Sequence, residues 1–160
     1  EQLHLDQDTL LALGSAAGDD LQPIFVATSN NYRHSVEAAV SVTSAIAGVN
    51  QTAITLFEGW RDEIGYLTDA RLKADNEAQF AASWQRYEEL IQPLKQSEAM
   101  IDPVLAELRK FLTYFKYALD EPSIASRKTE LSDTDNNIVA LINALTASTV
   151  KSKAFLESTQ

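Results

Sequence analysis

Small and apolar positions follow one another at alternating steps of four and three residues from Leu21 through Phe25, Thr28, Tyr32, Ser35, Ala39, Val42, Ile46, Val49, Ala53 and Leu56 to Trp60. That heptad spacing, with no proline after Pro23, predicts one long helix with a coiled-coil seam, carried by Ile64 and Leu67 into the low seventies. At about 1.5 Å per residue the walk from Leu21 to Trp60 is roughly 60 Å long, so other segments must run back along it to bury the seam. Upstream, Leu3 to Leu13 is helix-compatible but short. Gly14 and Gly18 bracket a turn, and Asp19 or Asp20 then caps the long helix with Pro23 in its first turn.

The polar run Lys73 to Asn76 reads as the next turn, Asn76 and Gln79 having the spacing of a capping box. From Phe80 the same walk gives Trp84, Tyr87, Ile91, Leu94, Glu98, Ile101, Leu105, Leu108, Leu112, Phe115 and Leu119. Its phase survives Pro93 and Pro103, which predicts one helix kinked at its prolines; a break near Pro103, capped by Asp102, is the alternative. Asp120-Glu121-Pro122 opens a last helix through Ile124, Lys128, Leu131, Asp135, Ile138, Ile142, Leu145, Thr149, Ser152 and Leu156. The fold class is all-α: an elongated antiparallel helical bundle of three long coiled-coil-like helices plus a short partial N-terminal helix, one domain over residues 1–160.

Composition narrows the partners. The 160 residues, 45% hydrophobic, are enough for one core. A net charge of −10, from 23 acidic and 13 basic residues, disfavours nucleic acid and anionic lipid. There is no cysteine, hence no disulfide or thiolate metal site. No uninterrupted apolar run approaches the roughly 20 residues of a membrane span, so direct membrane insertion is not expected. The chain starts at Glu1, which suggests a removed leader or a trimmed chain.

No constellation carries chemistry. A di-iron bundle needs inward glutamates and Glu-x-x-His pairs, whereas Asn31 stands three before His34, and Glu98 and Asp135 are the inward acids. Asp62-Glu63 and Glu88-Glu89 lie beside Arg61 and Arg86 and suit solvated helix faces. Without a nucleophile elbow or phosphate loop, no catalytic, cofactor-binding or metal residue is assigned, and no enzyme is expected. The aromatic groups Trp60, Tyr66, Phe80, Trp84, Tyr87 and Phe111, Tyr114, Phe115, Tyr117 suit core packing, with a ligand cleft between helices as the alternative.

Two features ask for an explanation. Glu98 stands alone as the acid of the third seam and is expected to be partly buried beside a hydroxyl, Thr43 or Thr146, or to reach the rim. On the long helix the apolar stripe widens to one side through Val36, Val40, Ala47, Ile54 and Phe57, and no charged residue lies between Glu37 and Glu58. This flank is the expected interaction face, covered either by another helix of the same chain or by a partner chain, an identical one for preference.

Leu56-Phe57-Glu58-Gly59-Trp60-Arg61-Asp62-Glu63, Tyr87-Glu88-Glu89-Leu90-Ile91, Pro103-Val104-Leu105-Ala106 and Ile124-Ala125-Ser126 followed by Glu130-Leu131 resemble an uncharacterised bacterial family known as domain of unknown function 2959. The resemblance covers about Asp19 to Leu156. It implies an exported, lipoprotein-like helical protein, periplasmic or tethered to the outer membrane, and supplies no activity, cofactor or catalytic residue. The absence of a lipidated cysteine and of most of the family's charged first helix departs from that pattern, as do the uncharged residues of the long helix. The expected function is a non-catalytic structural or protein-interaction module that binds itself or another envelope protein. The alternative is a periplasmic small-molecule sensing bundle.

Overall fold

The computed structural model describes the backbone of residues 2–158 and the side chains through Phe155. Helix α1 spans Gln2–Ser15, a 3-10 turn Gly18–Asp20, α2 Leu21–Tyr66, α3 Ala70–Glu98, α4 Ile101–Phe115, α5 Glu121–Ser126 and α6 Lys128–Ser158; no strand occurs among the described residues. The chain is all-helical, and its helices pack on one another.

The first turn forms where the glycines place it. Gly18 has φ 58°, a conformation that a Cβ would strain, and its N–H donates to a carboxylate oxygen of Glu121 at 2.9 Å. This hydrogen bond fastens the turn between α1 and α2 to α5. Asp20 is the N-cap residue of α2, without a side-chain cap bond.

The turn after α2 falls earlier than the Lys73–Asn76 reading. Helix α2 stops at Tyr66, and Asp69 caps α3, its carboxylate accepting from the N–H groups of Arg71 and Leu72 at 2.9 Å each. Two otherwise unpaired donors are satisfied there, so residues 73–76 can continue as helix. Asn76 is an interior helix residue that donates to the carbonyl of Leu72 at 2.9 Å.

The expected third long helix is two. It breaks at Ala99–Met100, with Pro103 in the first turn of α4, and Asp102 is not the cap. Proline's ring clashes with the carbonyl four residues earlier, here that of Ala99, which explains a break upstream of Pro103. Pro93 stays inside α3. Its carbonyl accepts from the hydroxyls of Ser97 at 2.9 Å and Ser148 at 3.0 Å, and those hydroxyls lie 2.9 Å apart. A small buried polar knot therefore ties the end of α3 to α6.

Two apolar clusters result. The larger gathers Leu10 and Leu13 of α1, Leu21 of α2, Ile101, Leu108 and Phe115 of α4, Ile124 of α5 and Leu131, Ile138 and Leu141 of α6. The smaller contains Ile46 and Phe57 of α2 with Tyr87 and Ile91 of α3, and Trp60, Phe80 and Trp84 pack against it. Phe57 lies 5.5 Å from Phe80, 5.0 Å from Trp84 and 5.8 Å from Tyr87, centroid to centroid. Residue numbers fall in α3 as they rise in α2, since Asn50 accepts from Lys95 at 2.7 Å while Trp60 meets Phe80 at 5.6 Å. These two helices run in opposite directions.

The seam of α2 departs from a strict heptad. Leu21, Thr28 and Ser35 are buried at seven-residue steps, and the next buried positions, Ile46 and Phe57, follow at eleven-residue steps. Val49 and Leu56, which the heptad walk places on the seam, are exposed, and Trp60 is half-buried. A straight helix drifts against a seven-residue repeat, so the line of contact moves round α2 as its neighbours change from α1 and α4 to α3.

Candidate functional site

The uncharged middle of α2 is the feature that the fold leaves unexplained. Residues 38–57 contain no charged side chain. They span the place where the larger cluster ends and the smaller begins, so few neighbouring helices reach them. The stretch 18–66 is long and apolar enough to cross a membrane by length and composition, and only 11% of its most apolar window is buried. Length alone therefore does not exclude a membrane segment, contrary to the expectation from uninterrupted runs. Ser, Thr, Asn50 and Gln51 are interspersed, and Asn50 is engaged by Tyr87 at 2.8 Å and by Lys95 at 2.7 Å. This segment is thus bonded to α3 through polar as well as apolar groups.

The five residues of the expected face separate into three environments. Val36 is half-buried against the larger cluster, and Phe57 is buried in the aromatic cluster, so both have cover from within the chain. Val40 is 63% exposed, and Ala47 is exposed. Ile54 is half-buried at the rim of a groove of about 210 Å³ that it shares with Phe57, Glu58, Arg61, Phe80 and Trp84. Different parts of the chain therefore cover the two ends of the face, the larger cluster at Val36 and α3 at Phe57, and leave its centre open.

Glu98 is half-buried, as the third seam suggested, but the hydroxyl partner at this level belongs to its neighbour: Ser97 is the buried residue, bonded to Ser148. Thr43 and Thr146 are both exposed. At this level the buried position is Ser97, whose hydroxyl has the carbonyl of Pro93 and the hydroxyl of Ser148 as partners, while Ile101, Leu105, Leu108 and Phe115 beyond the break are buried where the walk places them.

Several polar groups were not anticipated from the heptad walk. Asp6 of α1 is 1% exposed; its Oδ2 accepts from the hydroxyl of Ser35, while its Oδ1 has no partner. Burial raises the Asp6 pKa, and the Ser35 bond and nearby His34 only partly oppose that shift. Burial also raises the pKa of the Tyr87 hydroxyl, which donates to Asn50. Ser35 was on the seam walk, so a polar residue there was the available sign of a buried partner. Among the described residues no group of three His, Cys, Asp or Glu side chains is placed to hold a metal ion, and His34 is exposed on α2.

A larger cleft, about 630 Å³, opens between α3 and α6 and is lined by Arg86, Leu90, Pro93, Lys151 and Phe155 among others. It shares no residue with the aromatic cluster, whose rings line the smaller groove beside Ile54.

The model of a family described as "Protein of unknown function (DUF2959)" matches residues 1–159. No curated protein and no solved structure matches the chain.

Proposed function

Because the chain belongs to this family of unknown function, which brings no activity with it, we propose from its own geometry that it is a non-catalytic structural and protein-interaction module. The observation that carries this reading is the exposed centre of the uncharged face, Val40 and Ala47, on a chain of net charge −10. Elsewhere the acidic surface keeps molecules apart; here nothing repels a neighbour, and apolar surface is available. The likeness of its motifs to exported lipoprotein-like proteins supports a place in the bacterial envelope, periplasmic or tethered to the outer membrane. The elongated antiparallel bundle would then act as a scaffold that holds α2 out to a partner.

A photo-crosslinking side chain at position 40, compared with one at exposed Asp75, tests the reading in the living cell. Protein adducts specific to position 40 are expected. Their absence at both positions counts against an interaction module, and fractionation of the full-length gene product tests the envelope location separately.

A second reading, small-molecule binding, is favoured by the cleft with Arg86, Lys151 and Phe155, whose volume suits a drug-sized ligand. A metabolite screen that raises the melting temperature, with the gain lost in Arg86→Ala, would favour it over the first.

A further inference from the structure

The face on α2 has two unlike ends. At 100° per residue, Arg33, Val40, Ala47, Ile54, Glu58 and Asp62 fall within a sector of about 80°, with the base at one end and both acids at the other. Arg33, Glu58 and Asp62 are all exposed. Val40 and Ile54 stand seven residues to either side of Ala47. Ile46 and Ile64, which mark the buried side, lie about 120° round the helix from Val40, and the chain's own helices reach the sector only along its edge at Val36 and Ile54, about 40° from Val40.

We propose that the occupant of this face is a second copy of the chain, antiparallel to the first, with the two-fold axis at Ala47. Such a pair sets Val40 of each copy against Ile54 of the other, at the rim of the groove bounded by Phe57, Phe80 and Trp84. Ala47 meets Ala47 at the axis, where a small side chain lets the helices approach. Arg33 comes between Glu58 and Asp62 of the other copy; Arg61, at the same level, lies about 60° from the middle of the sector on the side away from Asp62, so each end of the pair gains an attraction. A parallel pair would place Arg33 on Arg33 and the acids on themselves. Glu37, about 20° outside the sector, comes to the level of Phe57, and its repulsion from Glu58 of the other copy weakens the pair.

Size sets the strength. The sector from Arg33 to Asp62 is about 45 Å long. With a width of about 10 Å it offers roughly 450 Å² per copy, below the roughly 800 Å² of a standard stable interface. The pair is therefore weak and concentration-dependent.

This inference rests on the interaction-module reading, and its test separates the two. The purified whole chain, carrying the photo-crosslinker at position 40, is irradiated at rising concentration while sedimentation follows its mass. A product of two 17.6 kDa chains is expected, with the crosslink mapping near Ile54. Arg33→Glu should weaken the pair at least tenfold, and adding Glu58→Arg and Asp62→Arg should restore it; circular dichroism should stay unchanged because all three side chains are exposed. A monomer at every concentration that still crosslinks to a different protein in cells overturns the self-pair and leaves the module reading standing. A monomer that co-floats with phosphatidylcholine vesicles assigns the face to membrane and overturns the self-pair. Crosslinks that map from position 40 to position 40 mean a parallel pair and overturn the proposed axis.

Discussion

The two ends of α2 are held by different chemistry. Toward its N-terminus it joins α1, α4 and α6 around a cluster that is mostly aliphatic, with Phe111 and Phe115 its buried rings. Toward its C-terminus it has α3 alone, and the contact is made by Phe57, Trp60, Phe80, Trp84 and Tyr87. Several helices enclose a volume, so leucine-sized side chains with water excluded on all sides suffice. Two helices enclose only a line. Wide rings are then needed to bridge the axes, and they remain partly wetted: Trp60, Phe80 and Trp84 are all half-buried. The bundle end should therefore be the stable part of the molecule, and the α2–α3 arm a unit that opens on its own.

The largest expected effect is at the bundle end. Phe115 is 0% exposed, and Phe115→Ala should cost about 3–5 kcal/mol, measured by denaturant unfolding. Phe57→Ala, in the arm, should cost about 3 kcal/mol, with the loss confined to the arm. Amide exchange should quicken over residues 46–64 and 80–91 while residues 101–115 and 131–141 keep their protection. Trp60→Ala should cost less than Phe57→Ala, since Trp60 is half-buried, not enclosed as the heptad register requires. If Phe57→Ala instead lowers protection equally at both ends, the molecule unfolds as one unit and the contrast between its ends is only compositional.

Asp6 probes the bundle end through pH. In the unfolded chain this carboxyl titrates near its ordinary value of 3.8, and burial makes the folded state keep the proton to higher pH. The unfolded state thus releases its proton first as pH rises, and the folded state is penalised. The contribution from Asp6 is most favourable below pH 3.8, falls as pH climbs through the raised folded value, and stays low above it. Asp6→Asn, which cannot ionise, should gain relative to the parent as pH rises from 3.8, as followed by melting temperature across pH. A difference between the two proteins that stays constant with pH would show that the carboxyl is not buried as described. The arm has no ionisable carboxylate among its buried residues, so substitutions there should leave the acid side of the pH profile unchanged, Tyr87 being held protonated there by its burial.

Much of the chain was legible from its spacing of apolar residues, and the misses share a cause. The helical class, the long uninterrupted α2, the turn at Gly14 to Gly18 and the cap at Asp120 follow from local rules, and Asp120 does accept from the Ser123 N–H at 2.7 Å, but the helix it opens is the six-residue α5, and the expected single last helix is broken at Arg127. The break at Ala99 was the alternative reading, not the leading one, because a heptad walk tests only whether apolar residues recur in phase, and they do so across it. A clash between the Pro103 ring and the carbonyl of Ala99 is invisible to that test. Likewise Val49 and Leu56 are apolar at heptad positions, but which side of α2 is buried depends on which helix lies beside it, a property of tertiary structure. The open centre of the face was legible as an absence of charge, whereas its division among Val36, Val40 and Phe57 was not. Asp6 follows the same spacing, Leu3, Asp6, Leu10 and Leu13, so its place on the inner side of α1 was legible, whereas its pairing with Ser35 depends on how α1 lies against α2.

The smallest effect expected is at the far end of the arm, where the chain reverses. Asp69 has an extended backbone, φ −75° and ψ 117°, and its Oδ1 accepts from two N–H groups, those of Arg71 and Leu72. Helix α3 begins there with donors that have no carbonyl four residues earlier, and this one side chain satisfies two of them. Asp69→Ala should cost about 1 kcal/mol, and Asp69→Ser or Asp69→Asn should recover most of it, because each keeps an acceptor at the cap. The loss should be local. Exchange of the Arg71 and Leu72 amides should quicken, with little change at Ile91 and none at Leu108, if the arm opens from its tip toward the bundle. Equal losses at Leu72 and Leu108 would mean that the cap is coupled to the whole fold and that α2 transmits order along its full length. Losses at Leu72 and Ile91 that spare Leu108 would place the boundary between the two ends at the Ser97–Ser148 knot, the last buried tie before α3 gives way to α4.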